Sequence, residues 1–220
     1  MNKFIVPKIA SKIHNIISFG FPKTFFVGGA VRNFLLGKKI IDVDIATSAT
    51  PKQIIKLLEQ NKIKYNSKHA KFGVIIAEGI EITTFRKDHY SASRYPTVVF
   101  TRSAKTDSIR RDFTINALYY NPITKELLDF YGGTKDIKKR LIRFIGDPAK
   151  RITEDPLRIV RAYRFSLQYK LKFAKETEQA LKLNMHLLKN ISQTRLAKEI
   201  NCLASKNLQK QLQKVIHNIY

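Results

Sequence analysis

The sequence predicts an α+β protein, with a head built on a small mixed sheet followed by an all-helical segment. Three observations carry this reading. Between Thr24 and Thr47 an apolar run, a glycine pair, a short helical stretch and a second apolar strand follow one another. From Lys62 to Phe100 the chain breaks into short strand-like pieces. Beyond Gly146-Asp147-Pro148 the apolar spacing turns helical, which sets the expected boundary between residues 1–147 and 148–220.

Taken in order, Ile9, Ile13, Ile16 and Ile17 keep helical spacing and predict a short amphipathic helix packed on the head. Lys3, Lys8 and Lys12 interrupt it too often for a secretory core. Phe25-Phe26-Val27 reads as a strand ending in Gly28-Gly29, a place where backbone can approach a phosphate closely. Ala30 to Leu36 reads as a helix whose first N–H groups face the same spot, with Arg32 one turn in and Gly37 as its stop.

The next strand, Ile40 to Ala46, alternates, so Ile41, Val43 and Ile45 share one face while Asp42 and Asp44 share the other. At ~3.3 Å rise per residue the two carboxylates lie roughly 6 to 7 Å apart, a span that magnesium ions and a triphosphate could bridge. Read alone, such a pair also fits the wet face of a half-buried strand. The ordered combination of glycine turn, arginine-bearing helix and acidic strand favours nucleotidyl transfer.

GGAVRNFLLGKKIIDVDIAT resembles the signature of the class II tRNA nucleotidyltransferase and bacterial poly(A) polymerase family. The resemblance implies a polymerase-beta-like nucleotidyltransferase head in which Asp42 and Asp44 hold catalytic Mg2+, with Gly28, Gly29 and Arg32 in the nucleotide pocket. Asn33 stands where the family usually has Asp, a change confined to a contact near the turn.

Composition bounds the partners. The 220 residues carry a formal net charge of +24, which points to a polyanion, nucleic acid before membrane surface, although a lysine-rich proteome would give the same excess. Cys202 is the only cysteine, so intrachain disulfides and a multi-thiolate zinc site are excluded and a reducing, cytoplasmic compartment is expected. No run approaches the ~18 apolar residues of a membrane span, and no membrane partner is expected.

Thr50, Pro51 and Gln53 form the start signal of a helix reaching about Asn61. Lys62 to Tyr65, Phe72 to Ala77 and Ile80 to Phe85 read as strands, the last two joined at Glu78-Gly79. Glu81, between Ile80 and Ile82, is a candidate third carboxylate and equally a solvated sheet-face residue. Arg86 to Pro96 reads as a loop in which Arg86 and Arg94 could grip RNA or nucleotide, with His89 on its surface. Val98 to Phe100 resumes a strand, and Asp107 caps an expected helix from Ser108 to Tyr119 with Asp112 and Asn116 on one face. RRDFTINA resembles the family's second motif, which implies ribose recognition by Arg111 and Asp112 with Asn116 supporting the pocket.

DFYGGTKDI resembles the family's link between head and neck. A helix expected from Ile152 to Tyr169 would align Asp155, Arg158 and Arg161 at three-residue intervals, with Glu154 four before Arg158. Read alone this is an ordinary intrahelical ion pair. A carboxylate beside a guanidinium could also accept from an exocyclic amino group and donate to a ring acceptor, which suits cytosine and adenine and leaves guanine and uracil mispaired. EDPLRIVRAYRF resembles the family's base-selecting motif, which implies pairing by Asp155 and Arg158, held by Glu154 and Arg161.

Helices are expected over Glu176 to Leu188, Ser192 to Ala204 and Leu208 to Ile219; the stretch SQTRLAKEI, with Arg195 and Glu199 at the four-residue spacing of a common surface ion pair, resembles the last neck motif and is read as structural. The resemblance, spanning about Phe25 to Leu203, implies an RNA 3'-end nucleotidyltransferase adding CCA, or part of it, to tRNA from CTP and ATP. Poly(A) polymerase is the competing enzyme, and a catalytically idle tRNA-binding remnant is the competitor from another class. Longer family members continue into a helical body and tail, expected to be absent here; a separate tail subunit could supply them, and oligomeric state is left open.

Overall fold

The computed structural model describes residues 4–90 and 96–217, which divide into two units, Met1–Arg111 with Ile115–Thr134 and Asp112–Thr114 with Lys135–Tyr220. Arg94 and the end of the last expected helix, residues 218–219, lie outside the described residues.

In chain order the first unit comprises α1 (Lys8–Gly20), β1 (Thr24–Val27), α2 (Gly29–Leu35), β2 (Asp44–Thr47), α3 (Pro51–Gln60), β3 (Tyr65–Asn66), β4 (Val74–Ala77), β5 (Ile80–Thr84), β6 (Arg86–His89), β7 (Thr97–Phe100), α4 (Ala104–Ile109), β8 (Leu118–Tyr120) and β9 (Leu127–Asp129). Seven of these strands form one sheet in the order β3-β4-β5-β2-β1-β8-β9. Every neighbouring pair is antiparallel except β2 with β5, so the sheet is mixed, as expected.

β1 is buried along its whole length, with Phe25, Phe26 and Val27 following Thr24, because it is covered on both faces. Phe26 turns to one side, where its ring meets Phe4 and the ring of His14 on α1. Phe25 and Val27 turn to the other, joining Ala46, Phe85, Ala104 and Tyr119 in a buried cluster. The helical spacing of α1 puts Ala10, Ile13 and Ile17 inside. Full burial of a ring such as Phe26, replaced by alanine, would cost about 3–5 kcal/mol.

Local signals set the element ends. Thr50 and Gln53 form the reciprocal capping box at α3, with Pro51 at its first position. Glu78 and Gly79 both have positive φ, the conformation of the tight primed turn that joins β4 to β5.

Several boundaries differ from expectation. β2 begins only at Asp44, so Asp42 precedes the ladder, and Ile41 is exposed rather than facing the core with Val43 and Ile45. The expected strand at Lys62 to Tyr65 is displaced to Tyr65–Asn66, where it pairs with β4. Arg86 to His89 is not loop but β6, paired antiparallel with β7. The expected helix from Ser108 to Tyr119 is absent: α4 ends at Ile109, and Leu118–Tyr120 is a strand. Ser103 caps α4, while Asp107 is fully buried and serves as an ion-pair partner instead.

The second unit holds most of α5 (Gly133–Lys139), then β10 (Leu141–Ile142), α6 (Pro148–Glu154), α7 (Leu157–Tyr169), β11 (Lys172–Phe173), α8 (Lys175–Asn184), α9 (Gln193–Asn201) and α10 (Lys206–His217). It is helical apart from the parallel pair β10 and β11. That pair ties residues 135–147 to the helices that follow, so the division falls before these residues rather than after Asp147. The expected helix from Ile152 to Tyr169 is two helices. α6 stops at Glu154, Asp155 is extended, and Pro156 starts α7, since a proline cannot donate within a helix.

Candidate active site

The sheet register assembles the first cluster. Val27 pairs with Asp44 across β1 and β2, and Asp44 pairs with Glu81 across β2 and β5, so two carboxylates stand side by side at one end of the sheet. Gly28 follows directly, with φ 63° and ψ −124°, a conformation that is practically glycine's alone. A Cβ there would lie 3.4 Å from Arg111 Nη1 and 3.9 Å from Asp44 Oδ2, so guanidinium and carboxylate converge on the bend. Gly29 has no positive φ, and a Cβ on it would make only ordinary contact with Arg32.

Asp44 is partly buried while Asp42 and Glu81 are exposed. Burial pushes the Asp44 carboxyl up to about 6, Glu81 and Asp42 push the same way, and Arg111 partly opposes them. This is an acid site short of positive charge, which suits a cation. Among the described residues no three His, Cys, Asp or Glu side chains group to hold a metal unaided. A two-carboxylate grip completed by phosphate oxygens is compatible with that.

Arg111 is held from behind. Its Nε donates to the Tyr119 hydroxyl at 2.9 Å, that hydroxyl donates to Asp107 Oδ2 at 2.6 Å, and Arg110 Nε donates to Asp107 Oδ1 at 2.9 Å. Burial alone would raise the Asp107 carboxyl, but Arg110, Arg111 and Tyr119 hold it below its ordinary value. Sequence reading gives Asp107 only as a helix cap and Tyr119 only as the end of that helix, so their role as a brace is found in the structure alone. Their only signal was an acid and a tyrosine flanking the RRDFTINA motif.

Arg32 Nη1 donates to Asn116 Oδ1 at 2.5 Å, and its Nε and Nη2 donate to Asn33 Oδ1. The expected neighbours of the glycine turn are thus brought together, and Asn33 supplies a neutral acceptor where an acid was anticipated.

Arg111 and Asp112, adjacent in sequence, have different partners. Asp112 belongs to the second unit, where its Oδ2 meets Arg161 Nη2 at 2.7 Å and its Oδ1 accepts from Phe113 N. Asp112 and Asn116 do not share a helix face, because no helix spans them. Arg161 also reaches Glu199, as does Arg164, in place of Arg195 four residues before it. Arg195 instead donates to Asp155 Oδ1 at 2.9 Å. Arg158 is pinned by Glu154 Oε2 at 2.9 Å and by the Arg151 carbonyl. Asp155 therefore stands outside the helix that bears Arg158 and Arg161, and Glu154 holds Arg158 as expected.

A mixed sheet whose strand, glycine bend and acid-bearing second strand converge in this way defines a nucleotidyltransferase head. The family described as Poly A polymerase head domain matches residues 24–143, and the chain belongs to that family. It is 42% identical over 184 residues to the CCA-adding enzyme of Bacillus pumilus, covering 82% of this chain and 45% of that enzyme. It is 37% identical over 198 residues to Poly(A) polymerase I of Haemophilus influenzae, covering 80% of this chain and 42% of that protein. The crystal structure of the Bacillus stearothermophilus CCA-adding enzyme in complex with CTP resembles it with a TM-score of 0.77 at 37% identity, covering 89% of this chain and 48% of that one. The chain thus spans less than half the length of these relatives.

Proposed function

We propose that this protein is a template-independent tRNA nucleotidyltransferase that adds CCA, or part of it, to the 3' end of tRNA from CTP and ATP, releasing pyrophosphate. The observation that carries the reading is the convergence of Asp44 and Arg111 on the Gly28 bend. Similarity to the CTP-bound Bacillus stearothermophilus enzyme supports CTP as a substrate. A solved tRNA nucleotidyltransferase complexed with a primer tRNA and an incoming ATP analog, similar at TM-score 0.74 and 30% identity, supports tRNA and ATP.

In this proposal Asp42 and Asp44 hold Mg2+, with Glu81 beside them as a supporting carboxylate. The bound ion would supply positive charge to the attacking 3'-hydroxyl oxygen and to the departing pyrophosphate. Gly28 leaves room for a phosphate to approach the backbone, and Arg111 presents its guanidinium to the phosphate oxygens. Arg32 and Asn116, bonded to each other, buttress the glycine turn. Asp155 and Arg158 select cytosine and adenine, with Glu154 and Arg161 fixing their surroundings and Asp112 anchoring Arg161. The lone free thiol of Cys202 supports a reducing cytoplasmic setting. No helix among the described residues is long and apolar enough to cross a membrane.

The deciding experiment offers tRNA ending at the discriminator base, or at CC, with each of the four triphosphates separately. Cytidylate addition to the first and adenylate addition to the second, both stopped by chelation, is the expected result. No incorporation under any condition overturns the proposal. Similarity to the Haemophilus influenzae protein favours poly(A) synthesis as the second reading, and repeated adenylate addition without CTP would establish it.

A further inference from the structure

The sheet has a second end. Opposite the row Val27, Asp44 and Glu81 lies the row Thr24, Thr47 and Thr84, three residues earlier on β1 and three later on β2 and β5. At ~3.3 Å per residue the two rows stand about 10 Å apart. Beyond the threonine row opens a cleft of about 580 Å³ bordered by Lys23, Ser48, Thr84, Phe100 and Arg102. That volume is within the range of small-ligand pockets, roughly 300–1,000 Å³.

The lining is chemically one-sided. It contains two cations and no acidic residue. Among the described residues neither Lys23 nor Arg102 forms an ion pair, whereas most arginines of this chain are tied to carboxylates. Thr50 and Gln53, also at the cleft, are committed to capping α3 and are not counted as ligand groups. The hydroxyl of Ser48 has no such commitment.

An aromatic surface completes the set. Phe100 remains 40% exposed, yet its ring is seated: a Cβ on Gly73, whose φ is +80°, would lie 2.9 Å from Phe100 Cε1. Only glycine admits the ring in that position. A held but exposed phenyl face beside uncompensated cations is the pairing that recognises a base and its phosphate, base stacking contributing about 1–3 kcal/mol.

We infer that this cleft is a second nucleotide site, separate from the Gly28 bend, which takes a nucleoside 5'-phosphate with its phosphate on Lys23 and Arg102 and its base on Phe100. The unit comes either as a free nucleotide or as one residue of an RNA strand. The inference concerns binding and stands whether or not the protein transfers nucleotides.

The test measures binding of inorganic phosphate, AMP and an eight-residue oligoadenylate to the full chain in EDTA at low salt. The Lys23→Ala, Arg102→Ala double variant is expected to lose about tenfold or more for AMP and oligoadenylate, and the oligoadenylate salt slope to flatten by about 0.7 for the one phosphate no longer neutralised. Phe100→Ala should weaken AMP and oligoadenylate while leaving inorganic phosphate unchanged. Oligoadenylate binding at least tenfold tighter than AMP identifies the RNA strand as the source, and equal affinities identify the free nucleotide. Arg102→Glu, one exposed change, repeats the test should the double variant unfold. Binding of AMP and oligoadenylate within twofold of the unaltered chain in both charge variants overturns the inference.

Discussion

The Tyr119 hydroxyl donates its single proton to Asp107 Oδ2 and accepts from Arg111 Nε. The polarity is forced, because a guanidinium can only donate. Tyr119 is thus a rigid spacer between a fully buried carboxylate and the guanidinium that borders the Gly28 bend. Tyr119→Phe keeps the ring packing and strips this link, so urea denaturation should show a loss of about 1–3 kcal/mol. Steady-state kinetics should show a raised KM for the nucleotide, since Arg111 loses its brace. Asp107→Ala strands Arg110 and Arg111 and should cost about 3–5 kcal/mol.

The two glycines of the bend should respond differently. Gly28→Ala places a methyl group in a backbone region closed to it and against Arg111, with an expected destabilisation of about 1–3 kcal/mol and loss of nucleotide incorporation. Gly29→Ala meets neither obstacle and should fold and turn over nearly as the parent does. Thermal melts and incorporation assays on the pair provide the comparison.

Asp44 sits partly buried beside two other carboxylates, an arrangement that serves chemistry at the expense of stability. Asp44→Asn in metal-free buffer at pH 8 should therefore melt higher than the parent, by the order of 1 kcal/mol, while failing to transfer nucleotide. The Asp42→Ala, Asp44→Ala double variant should retain the fold by circular dichroism and reduce incorporation to background.

His14 gives the fold a pH dependence remote from chemistry. It is fully buried, packs its ring at a tilt against Phe26 and donates from Nε2 to the Thr24 carbonyl. Burial lowers its pKa below the ordinary 6.5. In the window between 6.5 and the lowered value the unfolded chain binds more protons, so stability falls as pH drops through it and levels off below. Denaturation midpoints at pH 7.5 and 5 should differ by less in His14→Gln than in the parent.

What was legible in the sequence was what neighbouring residues decide. The strand into Gly28, the capping box at Thr50 and the Glu78-Gly79 hairpin each rest on contacts within a few positions, and all three formed. The segment after Ile109 failed for the opposite reason. Its apolar residues keep helical spacing, but Thr114 N bonds to the Arg143 carbonyl and Ile145 N to the Asp112 carbonyl, pairings some thirty residues away that put Phe113 in an isolated bridge and leave only a single 3-10 turn over Thr114–Asn116. Asp155 was placed on a helix because Glu154 and Arg158 are helical neighbours. Its partner Arg195 lies forty residues on and leaves no local trace. Of the site, the residue types and their order were readable, whereas the buried brace of Asp107 and Tyr119 required the strand β8 that helical periodicity concealed.

The three residues Asp112–Thr114 belong to one unit while the chain on either side of them belongs to the other. A single scissor cut cannot part the molecule cleanly. Any fragment ending near Thr134 carries Phe113 away from Phe144 and Phe165, its ring partners, and leaves a fully apolar side chain in water. Protein engineers who trim this chain to its first unit should expect a sticky, poorly soluble product unless Phe113 is replaced by a polar residue.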